Sequence, residues 1–116
     1  MTRVTIYKNA EGGYRGISVS GHSGYAAAGE DIVCASVSFL TINTINSIDR
    51  LTCDRIRVTE NDKKLGLISC EISGETASAL SSETQILLKA YEMGILELSR
   101  RYNEVGLVIK QDEISV

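Results

Sequence analysis

A chain of 116 residues, 43% apolar and 23% charged, with no proline and no tryptophan, has the make-up of one globular domain over residues 1–116, with no length for a second. Its net charge of −3 comes from interspersed acids and bases with no basic run to track a phosphate backbone, which argues against a direct nucleic-acid partner. The opening residues enter an alternating pattern without the charged lead and apolar stretch of a signal peptide, and no apolar run of roughly 18 residues stands out as a membrane span, so a cytoplasmic protein with no membrane partner is expected.

Taken in order, residues 2–8 alternate Val4 and Ile6 with polar neighbours, the period of a half-buried strand. Turn residues follow at 9–13. A second alternating run through Ile17 and Val19 ends at Gly21, so the two form a hairpin with His22, the single histidine, at the strand's exit. Residues 23–30 are small, with Gly24 and Gly29 flanking Tyr25 and three alanines, which is a surface loop. Asp31 is placed to cap a helix whose first residues are Ile32 and Val33, with Cys34 third. Val33, Val37, Leu40, Thr44 and Ile48 recur on one helical face as far as about residue 50. The β-branched content would suit a strand, but the pattern outlasts the usual strand length of roughly 5–6 residues.

Residues 56–60 then form a short strand, 61–64 a turn and 65–73 a fourth strand, with Ile68, Cys70 and Ile72 on one face. Ser82 and Gln85 make a capping box for a second helix, with Leu87, Tyr91, Gly94, Leu98 and Tyr102 at helical spacing and Arg100 and Arg101 near its end. A glycine at position 94 costs about 1 kcal/mol relative to alanine, so a close backbone contact is expected there. Residues 105–110 form a last strand, and a short tail begins at Gln111. The order is ββαββαβ, an α+β domain whose simplest layering is a mostly antiparallel sheet with two helices packed on one face.

Three cysteines, Cys34, Cys53 and Cys70, are an odd number without an export signal, so free thiols are expected, with Cys53 and Cys70 in structural roles. None lies near another at zinc-ligand spacing, and neither a metal nor any other cofactor is expected. Chemistry concentrates between Gly21 and Ser38. A thiol at a helix start sits near unpaired N–H groups that favour its charged form, and His22 precedes it by a loop able to fold back. In a Cys-His dyad, His22 takes the Cys34 proton as base and returns it to the leaving amine as acid. The Cys34 N–H and a neighbouring amide then offer an oxyanion site. Asp31 can cap the helix or orient His22, and Ser38, one turn after Cys34, can support the thiolate or the substrate. The residues alone leave an enzyme and a non-catalytic peptide-binding or scaffold domain level, since a helical cysteine is equally a small buried hydrophobe.

The sequence resembles the ribosomal-processing cysteine proteases called Prp. The resemblance is carried by Gly21-His22, the small-residue loop with Gly24 and Gly29, Asp31-Ile32-Val33-Cys34-Ala35 and Ser38, and it extends to the length and element order. Ser23 stands where alanine is common in that family, a small-for-small change. The resemblance implies a cytosolic endopeptidase that removes a short N-terminal extension from large-subunit ribosomal protein twenty-seven during ribosome assembly. It further implies a His22–Cys34 dyad supported by Asp31, Ser38 and Gly21, and a homodimer. Ser23, Gly24, Tyr25 and Gly29 would form a loop that moves to admit the peptide.

Overall fold

The computed structural model describes residues 2–21, 30–62, 67–73, 80–103 and 105–111. Their elements are β1 (Thr2–Lys8), β2 (Tyr14–Ser20), α1 (Glu30–Leu51), β3 (Arg55–Asp62), β4 (Leu67–Ser73), α2 (Ser82–Arg101) and β5 (Val105–Gln111), in the expected ββαββαβ order. The strands form one sheet in the order β3-β4-β2-β1-β5. Every neighbouring pair is antiparallel except β1 with β5, which run parallel and make the sheet mixed.

Strand register explains where the helices lie. Ile109, Ile6, Ile17, Cys70 and Val58 stand opposite one another across all five strands, so alternation puts them in one row on one face. The three central members are buried, whereas Ile109 and Val58 at the two sheet edges are exposed. Val4, Val19 and Leu107 form part of the neighbouring row, and α1 and α2 cover this face. The opposite face carries Arg3, Thr5, Ser18 and Glu71, and the hydroxyls of Ser18 and Ser69 lie 2.8 Å apart across β2 and β4.

The β1–β2 turn is set by Asn9, whose Oδ1 accepts from the N–H groups of Glu11 and Gly13, while Gly12 takes a φ of 88°. Gln111 belongs to β5 rather than to a tail, and its side-chain amide donates to the Ala10 carbonyl at 2.9 Å. Asn61 and Asp62 likewise continue β3, paired opposite Ile68 and Leu67, instead of forming a turn. A register shift between Val58 and Glu60 lets that pairing run on past the expected end.

The inward face of α1 is the one expected: Val33, Val37, Thr44 and Ile48 are buried, Leu40 is half-buried, and Thr41 joins them. Thr41 donates to the Val37 carbonyl, and its oxygen lies 2.7 Å from the Tyr91 hydroxyl, so a buried polar pair joins the two helices. Beside it, Leu40 presses on Gly94, where an added Cβ would lie 2.7 Å from the Leu40 Cδ2. The close contact expected at this glycine is therefore present. Over Ile32–Leu51, α1 is long and apolar enough to cross a bilayer, contrary to the expectation that no such stretch exists, because uncharged Ser, Thr and Asn separate its aliphatic residues. Its inner face is nevertheless part of the packed core.

In α2 the expected stripe faces inward from Leu87 to Leu98 and is widened by Thr84, Leu88 and Ile95 beside it. Thr84, Leu88, Tyr91 and Ile95 are buried, Leu87 and Leu98 flank them, and Tyr102 is exposed. The capping box also differs, since the N-cap is Ser81, whose Oγ accepts from the Thr84 N–H at 3.3 Å. Gln85 instead holds the backbone of β2, with its Oε1 accepting from the Tyr14 N–H at 2.9 Å and its Nε2 donating to the Tyr14 carbonyl at 3.1 Å. Ser81 is fixed from behind by Asp54, whose Oδ2 accepts from the Ser81 N–H at 2.9 Å and from its hydroxyl at 2.7 Å.

Asp54 is buried. Burial by itself raises its carboxyl pKa, but hydrogen bonds from Thr84 and from the side chain and backbone of Ser81 outweigh that and hold it below the usual carboxylate value. A depressed native pKa stabilises the fold above the unfolded value of about 3.9, and that contribution disappears as pH falls through the native one. Asp54→Asn should therefore cost about 1–3 kcal/mol at pH 7. Urea titrations of both proteins should show the gap narrowing below about pH 4; a gap independent of pH would contradict the charged role.

Candidate active site

The described part of α1 begins at Glu30, so Asp31 already has helical backbone and is not the cap expected of it. Cys34 is then the fifth residue of α1 rather than the third. Helical pairing directs its N–H to the Glu30 carbonyl, which removes that N–H from the expected oxyanion site. The unpaired amides at the start of α1 belong to residues before Cys34.

What fixes Cys34 in space is its neighbour Val33, buried in the core, together with one contact to the sheet. Cys34 is half-buried, and its Sγ lies 3.3 Å from the Oγ1 of Thr2 at the start of β1. Thr2 stands opposite Val105 on β5, so the thiol sits over the end of the sheet where β1 and its parallel partner both begin. Ser38 lies one turn further along α1 and is also half-buried. Gly21 follows β2 with a φ of 94°, a conformation strained for other residues, at the position preceding His22. The expectations for His22, Ser23, Gly24, Tyr25 and Gly29, and for the carboxylate of Asp31, lie outside the described residues and side chains.

Of the other thiols, Cys53 is exposed beyond the end of α1 and fills no place in the core, contrary to the structural role expected. Cys70 is buried on β4 as expected, and loss of solvent pushes its pKa up to about 11. Among the described residues no group of three or more His, Cys, Asp or Glu is placed to hold a metal ion. A cavity of about 240 Å³ opens over β1 to β4, lined by residues that include Tyr7, Arg15, Ser69 and Glu71, and it contains none of the expected site residues. Thr2 escaped the sequence reading, although its parity with Val4 and Ile6 marked it as a polar residue on an otherwise aliphatic inward face.

A thiol carried on the first turns of a helix, laid over one end of a mixed sheet, defines a small α+β thiol protein. The family of cysteine protease Prp matches residues 1–105. This chain belongs to that family and is a cysteine protease. Comparison with curated proteins gives no match. Among solved structures, SMU.848 from Streptococcus mutans superposes with a TM-score of 0.80 at 26% identity, covering 97% of this chain and 96% of that one. The essential ribosomal processing protease Prp from S. aureus, in complex with a covalently linked product peptide, gives 0.80 at 27% identity over 95% of this chain and 100% of that one. The S. aureus protein with a substrate peptide gives 0.79 at 24% identity over 97% and 100%, and it shares this fold.

At pH 8 a thiol with a pKa near 11 is thiolate in about one molecule per thousand. Brief treatment of the folded protein with iodoacetamide should therefore leave Cys70 unmodified while Cys53 is labelled. Peptide mass mapping reads the result, and labelling of Cys70 at the rate of Cys53 would contradict its burial.

Proposed function

We propose that this protease removes the N-terminal extension of large-subunit ribosomal protein twenty-seven during ribosome assembly, acting in the cytoplasm through a His22–Cys34 dyad. The family match over residues 1–105, which spans Gly21-His22 and Asp31 to Ser38, carries this reading. The thiolate of Cys34 attacks the scissile carbonyl after His22 takes its proton, and His22 returns that proton to the leaving amine. Water then hydrolyses the thioester and frees Cys34. With the capping role gone, the Asp31 carboxylate is left to orient His22, and Ser38 supports the thiolate or the peptide. The loop containing Ser23, Gly24, Tyr25 and Gly29 admits the substrate, while Gly21 provides the turn that leads into it.

The active form is a homodimer that needs neither nucleic acid nor a membrane as partner. This reading is supported by the outer faces of the helices, where Ile32, Phe39 and Ile42 of α1 and Ile86 and Met93 of α2 are exposed, Phe39 by 74%. No charged residue lies between Asp31 and Asp49, so this part of α1 can meet its own copy across a two-fold axis without repulsion.

A peptide spanning the extension and the mature N-terminus of the ribosomal protein should be cut once by the purified protein. Neither Cys34→Ala nor His22→Ala should cut it while circular dichroism stays unchanged; cleavage surviving Cys34→Ala would refute the dyad. In sedimentation equilibrium the protein should run as a dimer and Phe39→Asp as a monomer, whereas a monomeric parent protein would refute the dimer.

A further inference from the structure

Thr2 is only 1% exposed, and its side chain lies on the inward row of β1, in phase with Val4 and Ile6. Valine would match its shape there and avoid burying a hydroxyl, an operation that costs free energy unless the group is hydrogen-bonded. The hydroxyl has such a partner in the sulfur of Cys34, 3.3 Å away across 32 residues of sequence. Two features hold it still. Thr2 is β-branched, which restricts its χ1, and its strand is paired on both sides, with Arg3 opposite Ser20 on β2 and Thr2 opposite Val105 on β5.

We propose that Thr2 is a positioning residue for the Cys34 nucleophile, holding the sulfur through a hydrogen bond from its Oγ1–H. The inference rests on Cys34 being the nucleophile and adds a role for β1 in setting it. Either atom can donate at this distance. While the sulfur is protonated, its S–H points to the threonine oxygen; when the proton leaves for the base, the hydroxyl rotates and donates to the thiolate. The heavy atoms need not move, so ionisation requires no rearrangement of helix or sheet. A hydrogen bond made to the charged form favours that form, and it also selects one rotamer of a side chain otherwise free to turn away from the peptide. As the sulfur bonds to the scissile carbon it loses its charge and the contact weakens, so Thr2 acts on the readiness of the nucleophile and not on the developing oxyanion.

Thr2→Val removes the hydroxyl and keeps the shape; Thr2→Ser keeps the hydroxyl and removes the methyl group. The valine variant should lower kcat about tenfold with little change in KM, the scale of one charge-assisted hydrogen bond. It should also move the pH profile of Cys34 alkylation to higher pH. The serine variant should restore most of both, although it loses a buried methyl group, and thermal melts of the two variants separate that packing cost. A valine variant with parental kcat and an unmoved profile, or a serine variant as impaired as valine, would overturn the role of Thr2. Cleavage by Cys34→Ala instead overturns the nucleophile itself, so the two failures are read from different proteins.

Discussion

The seating of Leu40 against Gly94 governs how α1 lies on the sheet. An ordinary residue at position 94 would put its Cβ 2.7 Å from the end of the leucine, so the absence of a side chain sets the approach of the helices. The buried Thr41–Tyr91 hydrogen bond next to it fixes their relative rotation and register. Because Thr41 gives its own proton to the Val37 carbonyl, the Tyr91 phenol is the donor to Thr41, and burial pushes the Tyr91 pKa upward. A slip of α1 by one residue would translate it by about 1.5 Å and turn it by about 100°. Cys34 would then no longer face Thr2.

The sheet places the reactive end of α1 at a boundary. In the row from Ile109 to Val58 the three central residues are buried and the two at the edges exposed, whereas Val105 at the start of edge strand β5 is buried opposite Thr2. Cys34 lies where a buried strand start meets the beginning of the edge strand β5. Cys34 is half-buried there, in contrast to the sealed Cys70 and the open Cys53. The middle of α2 is anchored through Glu92, which accepts from the Tyr14 hydroxyl at 3.0 Å and lies 3.5 Å from the Lys8 ammonium.

Much of this was legible in the sequence where one local period dominates. Alternation marked β1 and β2, the stripe from Val33 to Ile48 marked the core face of α1, and Gly94 announced a close approach. The boundaries were less legible because distant groups compete for the same residues. Gln85 has the spacing of a capping residue, yet the unpaired backbone of Tyr14 takes it, and Asp54 recruits Ser81 as the cap in its place. In α2 the centre of the stripe at Tyr91 is legible, but which of the equally apolar Leu87 and Leu88 is sealed is decided only by the packing beneath. At the site, residue types pointed to Cys34, whereas its depth in the helix and its contact with Thr2 arise from packing that no short-range pattern records. Thr2 in particular reads as an ordinary strand residue until α1 is laid across it.

The joint at Asp54 has a topological consequence. The chain leaves the helical layer there and returns at Ser81, and the two points are hydrogen-bonded across 27 residues of sequence. The β3–β4 hairpin is thus a closed excursion, clasped at its base and adding its free length to one margin of the sheet. Lengthening such a loop costs only about 0.6 kcal/mol per doubling of its length. A change in the hairpin's length can therefore be absorbed at the sheet margin without altering the angle between the helices or the geometry around Cys34.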